Sequence, residues 1–369
     1  MGIGRFAFTP MLPLMQREGL IDGGSGAWLA SANYIGYLIG ALTASYLPGK
    51  ARTQVAFSLL ATAVLTMSMT LQENVASWIV LRFLAGVVSA WTLIFISGWA
   101  VSALALRKRS DAGGLVFAGV GIGIALAGLW VWWHSDVDAL SIWTQLGWLS
   151  LCLSVIVVAL WPALSADAQS NLSTSTDTDS RPPEQINRHS KVLVLCYGAL
   201  GFGYILPATY LPTLAQGLID DPRQFGLLWP IFGLAAAGST LLAGHALHRW
   251  KGSDIWALSH VALAIGCLLP LFSHSGWAVM LAAILVGGTF LVATMTGLQE
   301  ARHVSSSNPK PLLARMTAAF AIGQIAGPLT VLLFNYLSVE TLGFNSLELA
   351  QALAALLLLI SAKSLRHLT

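Results

Sequence analysis

Charged residues are scarce in this chain. Asp, Glu, Lys and Arg make up 9% of its 369 residues, whereas hydrophobic residues make up 56%. A soluble globular domain carries about 25% charged residues, so a chain of this composition could not cover its own surface in water. The composition excludes a soluble globule and predicts an all-α polytopic membrane protein.

Other absences narrow the function. The three cysteines lie in apolar runs and cannot form a disulfide framework or a zinc site, and we expect no metal or cofactor. The phosphate-binding motif G-x-x-x-x-G-K-[ST] is absent, so nothing suggests ATP hydrolysis. The acidic residues are scattered through loops without a matching histidine cluster, which argues against a membrane-embedded enzyme.

Long apolar runs dominate the rest of the chain. We predict twelve segments, each compared with the roughly 20 residues that span a bilayer. Their approximate bounds are 1–15, 27–47, 53–71, 77–106, 112–133, 142–162, 191–214, 224–247, 254–273, 276–299, 314–337 and 346–365. A polar Ser/Thr/Asp/Pro stretch at 163–190 has no residues to build a core, so we read it as a linker between two six-helix halves, 1–162 and 191–369.

The basic residues predict an orientation. With the start of the first segment on the cytoplasmic side, the cytoplasmic loops hold fifteen Lys and Arg residues, and the outer loops hold only Arg17 and Arg223. This bias follows the positive-inside rule. It places both termini in the cytoplasm.

An internal repeat links the two halves. The run GIGRFAFTPMLP from Gly2 returns as GFGYILPATYLP from Gly201, at a shift of 199 residues. Duplicated segments of this kind indicate two pseudo-symmetric halves. The repeat pairs Arg5 with Tyr204, which predicts an asymmetric binding site between the halves. Only Met1 precedes the repeat in the first copy, so we expect a first helix truncated at its N-terminus, a native short helix being the alternative.

Two arginines, Arg5 and Arg82, fall inside apolar segments. A charge at membrane depth costs about 2.5–3.5 kcal/mol on insertion scales and usually points into a cavity or at a partner. Arg5 would face a central cavity and receive an anionic or strongly polar group, because its guanidinium fits carboxylate or phosphate. Arg82 would be a buried gating or proton-coupling charge. For both, the alternative is a side chain that snorkels to a nearby interface.

The chain resembles the major facilitator superfamily over essentially its whole length. The run LRFLAG at 81–86 is similar to the motif of that superfamily's fourth helix. The run GHALHR at 244–249 is similar to its loop motif G-x-x-x-D-R, with His248 where an acid is usual. More narrowly, GRFAFTPMLPLM, WLASANYIGYLIGAL and MTAAFAIGQIAGP resemble the YbfB/YjiJ-type branch of bacterial transporters.

The resemblance implies alternating access in the bacterial inner membrane, with the first, fourth, seventh and tenth helices around a central cavity. The residues that it implies for substrate binding are Arg5, Trp91, Tyr204, Tyr210, Thr294 and Gln299, and those for coupling or gating are Arg82, Arg249 and Gln324. Glycines of segments 112–133 and 314–337 would form the sliding surface between the halves.

We therefore expect a secondary active transporter that moves a small organic solute, with a proton as the coupling ion. Efflux fits an aromatic cavity, and uptake of an acid fits Arg5. We expect a monomer in the lipid bilayer that binds no nucleic acid. The alternatives are a non-transporting membrane sensor and an inactive truncated product.

Overall fold

The computed structural model describes residues 1–71, 74–106, 113–165, 188–216, 226–305, 310–337 and 344–367. The α-helices in these ranges are α1 (Gly2–Phe6), α2 (Phe8–Arg17), α3 (Gly23–Thr43), α4 (Ala51–Ser68), α5 (Val75–Leu106), α6 (Gly113–Trp133), α7 (Ala139–Ser165), α8 (Arg188–Gln216), α9 (Leu228–Ala246), α10 (Gly252–Phe272), α11 (Gly276–Val304), α12 (Lys310–Tyr336) and α13 (Ser346–Arg366). Most of the predicted linker, and the basic residues at 107–109 and 223, lie outside the described residues.

The prediction of an all-α protein is confirmed for the residues that the structure describes. Each predicted apolar segment overlaps a helix, and the first segment is divided into α1 and α2. Eight of the described helices are long and apolar enough to cross a membrane, namely α5, α6, α7, α8, α10, α11, α12 and α13.

Side-chain caps mark the beginning of two helices. Helix α3 begins at Gly23, four residues earlier than predicted, because the Asp22 carboxylate accepts a hydrogen bond from the Ser25 amide at 2.6 Å. Helix α13 begins with a capping box in which Asn345 and Glu348 each accept the other's backbone N–H.

Buried apolar side chains form two main clusters. The larger one lies mostly among α8 to α13 and also includes Phe6, Tyr37 and Ile124 from the earlier helices. The second is built from α1 to α7, with Trp78 and Trp143 among its fully buried residues. The few early residues in the larger cluster mark where the two groups of helices meet.

Helices α6 and α9 touch along most of their length. Gly114, Gly121 and Gly128 recur every seven residues, so they lie on one face of α6, and all three contact α9. A Cβ at Gly121 would lie 2.5 Å from the backbone nitrogen of Ala237. Small residues allow this close approach. Gly119 has open space where its Cβ would be, so only part of the predicted glycine surface is a helix contact.

Candidate functional site

The first predicted segment is interrupted where its two helices meet, at Ala7, three residues before Pro10. Proline lacks an N–H, and its ring clashes with the carbonyl group four residues earlier, which explains an interruption at this point. Arg82 of α5 donates from Nη1 to the carbonyl oxygen of Gly4 at 3.1 Å and from Nη2 to that of Arg5 at 2.9 Å. The guanidinium of Arg82 therefore holds the backbone that carries Arg5.

Arg82 is itself fixed on several sides. Its side chain is 3% exposed, and its guanidinium lies 4.9 Å from the ring centre of Phe8. The Asn33 amide donates to the Arg82 carbonyl oxygen at 2.9 Å. A side chain held in this way does not snorkel to the interface. These contacts make Arg82 a positioning residue in this conformation, and coupling or gating by Arg82 stays a prediction.

Arg5 lies in an aromatic environment. Its side chain is 4% exposed, and its guanidinium lies 4.0 Å from the ring centre of Tyr37 and 5.3 Å from that of Phe6. Nη2 donates to the hydroxyl oxygen of Tyr204 at 3.4 Å. Cation–π contacts hold a guanidinium without neutralising its charge, so Arg5 keeps its capacity to bind an anion.

Tyr204, the repeat partner of Arg5, is at the centre of this group. Its ring stacks on Phe290 and on Phe320, with centroids 5.2 and 5.5 Å apart. Its hydroxyl accepts a hydrogen bond from the Gln324 amide. Gln324 is fully buried, and its Oε1 has no partner among the described residues. The structure thus brings Arg5, Tyr204 and Gln324 together.

The polar groups surround a central cavity of about 20 Å³. It is lined by Arg5, Phe6, Phe8, Thr9, Ala30, Asn33, Tyr34, Arg82, Tyr204, Ile205, Ala208 and Trp229. The Tyr34 hydroxyl is hydrogen-bonded to that of Thr209 at 3.1 Å, which joins α3 to α8 beside this cavity. A space of this size holds about one water molecule, so the structure represents a closed conformation of the site.

Among the residues that the structure describes, no acid balances the charge of the site. No described carboxylate contacts Arg5 or Arg82; the Glu348 carboxylate, for example, lies 3.5 Å from Nε2 of His274. Neither Arg5 nor Arg82 has a carboxylate partner among the described residues, although buried charges are normally paired. The described residues also contain no group of three or more His, Cys, Asp or Glu residues that could hold a metal ion. The site is therefore cationic and aromatic.

A larger cavity of about 510 Å³ lies toward the end of the bundle where α2 ends. It is lined by Pro10, Pro13, Leu14, Gln16, Arg17, Gly128, Val131, Trp132, Ser135, Pro212, Gly226, Leu228 and Trp229. Arg17 and Ser135 are exposed and joined by a hydrogen bond of 3.0 Å from Nη2 to the carbonyl oxygen. We call this space the vestibule; no motif in the sequence predicted it.

Two predicted binding residues lie away from Arg5. The Trp91 indole donates to the Thr43 hydroxyl at 3.1 Å, and its ring packs in a separate cluster with Phe95 and other residues. Gln299 of α11 lies beside the first residue of α6. A Cβ atom added at Gly113 would be 3.8 Å from the amide nitrogen of Gln299. Neither residue lines the central cavity in this structure, and their part in binding stays a prediction.

The remaining predicted residues have limited roles here. Tyr210 is half-buried against the larger cluster. Thr294 is buried, but its hydroxyl donates to the carbonyl oxygen of Phe290 in its own helix at 2.7 Å. Arg249 is exposed just beyond the end of α9. Their parts in binding or gating stay predictions.

Sequence reasoning missed Tyr37. This residue supplies the shortest cation–π contact to Arg5. Its spacing was a usable signal, because Asn33, Tyr34 and Tyr37 are three and four residues apart and so share one face of α3.

Taken together, these features define a polytopic membrane protein with a closed cationic site among its helices, as expected of a transporter. The chain belongs to the major facilitator superfamily family described as "Uncharacterised MFS-type transporter YbfB", whose profile matches residues 1–365. This assignment confirms the resemblance noted in the sequence and places the chain in a family of multi-pass membrane transporters.

A curated relative is similar over a shorter stretch. "Tetracycline resistance protein, class B" from Escherichia coli is 27% identical over 149 residues. The match covers 39% of this chain and 37% of the relative. The chain therefore aligns with about a third of that relative's length, and what its name says about tetracycline applies to that protein.

Proposed function

We propose that this protein is a secondary active transporter that moves a small organic solute across the bacterial inner membrane by alternating access. In this proposal, twelve helices form two six-helix halves that rock about the central cavity, with both termini in the cytoplasm. The solute carries an anionic or strongly polar group that binds Arg5.

The observation that carries the proposal is the buried, acid-free charge at Arg5. A guanidinium that is 4% exposed and has no carboxylate partner among the described residues is costly to bury, and such charges are usually kept because they serve binding or transport. Its planar fork suits carboxylate or phosphate groups. Because the central cavity of about 20 Å³ is too small for an organic solute, binding requires the helices around it to separate.

The contacts of Arg5 and Tyr204 suggest how separation and binding are linked. Arg5 lies on α1 and Tyr204 on α8, so the bond between them joins the two proposed halves. At 3.4 Å this bond is near the upper limit of hydrogen-bond length and is weak. An anionic solute would compete for the same guanidinium, which would release α8 from α1.

A proton as the coupling ion is part of the proposal. No Asp or Glu occurs among the described residues that line either cavity. Co-transport of a monovalent anion with one proton is electroneutral, and it does not require the carboxyl group that binds Arg5 to be protonated, because a guanidinium keeps a bound carboxyl group ionised. A proton gradient directed into the vesicle should drive accumulation of such a solute inside it.

The test begins with a stability screen of the purified protein against organic acids and amphipathic compounds, with tetracycline included because of the curated relative. A ligand that binds only the folded state raises its thermal stability. Hits are then assayed for transport in proteoliposomes with and without a pH gradient. A hit that binds but is never moved would favour the sensor.

The key variants are Arg5→Ala and Arg5→Lys, with Arg315→Gln as the matched control because Arg315 is exposed on α12. Loss of a hydrogen bond to a charged group costs about 1.5–3 kcal/mol, which corresponds to roughly 10- to 150-fold weaker binding. We expect this loss for Arg5→Ala, a partial effect for Arg5→Lys and none for the control. Full binding and transport by folded Arg5→Ala would overturn the assignment.

A further inference from the structure

The vestibule and the central cavity share one lining residue. Among the described residues, Trp229 is the only residue that lines both spaces. It lies at the second position of α9 and is 4% exposed. A solute that passed between the two cavities would meet this indole.

Aromatic contacts connect Trp229 with the Arg5 site. The Trp229 ring stacks on Phe232, with centroids 4.7 Å apart and planes at 11°. Phe232 packs on Phe290 at 5.4 Å, and Phe290 stacks on Tyr204 at 5.2 Å. Tyr204 is hydrogen-bonded to Arg5. A solute that displaced Tyr204 from Arg5 would therefore also disturb the ring contacts that hold the Trp229 indole.

The indole nitrogen of Trp229 adds a second, independent observation. Its Nε1–H is buried and has no hydrogen-bond partner among the described residues. A buried donor left unpaired is unfavourable and calls for an explanation. Trp143 also has an unpaired indole N–H, but it lies inside an apolar cluster and lines neither cavity.

The vestibule has the size and lining of a site for an organic molecule. Its volume of about 510 Å³ falls within the usual range for small-molecule pockets. Three prolines and two tryptophans supply apolar and aromatic surface, and Arg17 at the exposed end supplies a positive charge. This combination suits an amphipathic molecule with an apolar ring system and a hydrogen-bond acceptor.

We propose that the vestibule is a second binding site for the transported solute, an amphipathic organic molecule, and that Trp229 is the barrier between this site and the central cavity. The acceptor group of the molecule takes the hydrogen bond of the Trp229 indole as it passes. Movement of Trp229 away from Phe232 then opens the way to Arg5. This inference rests on the proposed transport function.

The barrier is tested by cysteine labelling, which does not need a known solute. Cys152, Cys196 and Cys267 are replaced by serine, and Ala208→Cys places a thiol in the central cavity, where Ala208 is 5% exposed. A small anionic methanethiosulfonate reagent is applied to either face of sealed vesicles in separate experiments. Thermal unfolding confirms that each variant is folded.

The variants are Trp229→Ala and Trp229→Leu, with Trp132→Ala as the matched control because Trp132 lines only the vestibule. An aromatic contact such as that between Trp229 and Phe232 shifts an equilibrium by up to about tenfold. We expect Trp229→Ala to speed labelling by about this factor from the vestibule face only, and Trp229→Leu to have a smaller effect. Unchanged rates in both folded Trp229 variants, or an equal increase in Trp132→Ala, would overturn the barrier assignment.

The second site is tested with the hit from the stability screen. Trp229→Phe keeps an aromatic ring at this position but removes the N–H donor. We therefore expect labelling to stay as slow as with tryptophan, and solute binding to become weaker. Unchanged binding would overturn the role of the indole donor. A protein that transports nothing would still show the difference in labelling, which separates failure of this inference from failure of the proposed function.

Discussion

Arg82 offers a sharp test of the site, because it contacts the backbone of Arg5 and not its guanidinium. Replacement by methionine removes the two bonds to the carbonyl oxygens of Gly4 and Arg5. Hydrogen bonds to charged groups contribute about 1.5–3 kcal/mol each, so the loss is roughly 3–6 kcal/mol. Arg82→Met also removes a buried charge that costs about 2.5–3.5 kcal/mol on insertion scales.

The two effects partly offset each other, so we expect Arg82→Met to lower the free energy of unfolding by roughly 0–3.5 kcal/mol. The local effect should be larger than the global one. Hydrogen–deuterium exchange of peptides covering residues 1–12 should be faster than in the unmodified protein. Binding of the screened solute should weaken, even though Arg82 need not touch it.

Arg82→Lys separates charge from geometry. Lysine keeps the positive charge but lacks the planar fork that reaches two carbonyl oxygens at once, so exchange and binding should be only partly restored. Arg52→Met is the control, because Arg52 is an exposed arginine of α4. Full restoration by lysine would show that charge alone matters, and unchanged exchange in folded Arg82→Met would refute the positioning role.

Two further predictions concern packing and buried polarity. Gly121→Ala should lower the free energy of unfolding by about 1–3 kcal/mol through overpacking against α9, whereas Gly119→Ala, which faces open space, should be neutral or stabilising by up to about 1 kcal/mol; equal thermal shifts would contradict the contact. Gln351 of α13 is fully buried, and neither its Nε2 nor its Oε1 has a partner among the described residues. Gln351→Met should therefore raise stability by about 1–3 kcal/mol, and a clear loss of stability would show that the amide has a partner in the folded protein.

The helices and the centre of the site were predictable from the sequence for physical reasons. A bilayer requires long apolar runs with internally bonded backbone, so composition alone predicts helices. A repeat at a shift of 199 residues singled out Arg5 and Tyr204, and the structure places their side chains in contact. The cost of buried charge pointed to Arg5 and Arg82 without any structure.

The direction of each side chain around its helix was harder to predict. In a membrane, the lipid-facing and buried faces are both apolar, so hydrophobic periodicity does not tell them apart. Trp91 lies near the middle of α5, yet its indole points to Thr43 and not to the central cavity. The partners of Arg82 are backbone carbonyl oxygens, which have no signature in the sequence.

The repeat also bears on how the two cavities are arranged. Residues related by a twofold pseudo-symmetry axis can touch each other only where both lie close to that axis. Arg5 and Tyr204 correspond under the repeat and are bonded at 3.4 Å. Pro13 and Pro212 correspond under the same shift, and both line the vestibule.

In the proposed arrangement of two halves, the first pair would place such an axis beside the central cavity, and the second pair agrees with an axis that continues toward the vestibule. At such an axis, identical residues would make a site symmetric, and a dipolar solute would then have no preferred orientation. Arg5 in one copy of the repeat and Tyr204 in the other make the two orientations of the solute different in energy, while both side chains still pack at the centre. The anionic end of the solute would bind toward Arg5, and its apolar part would bind toward the rings of Tyr204 and Phe290.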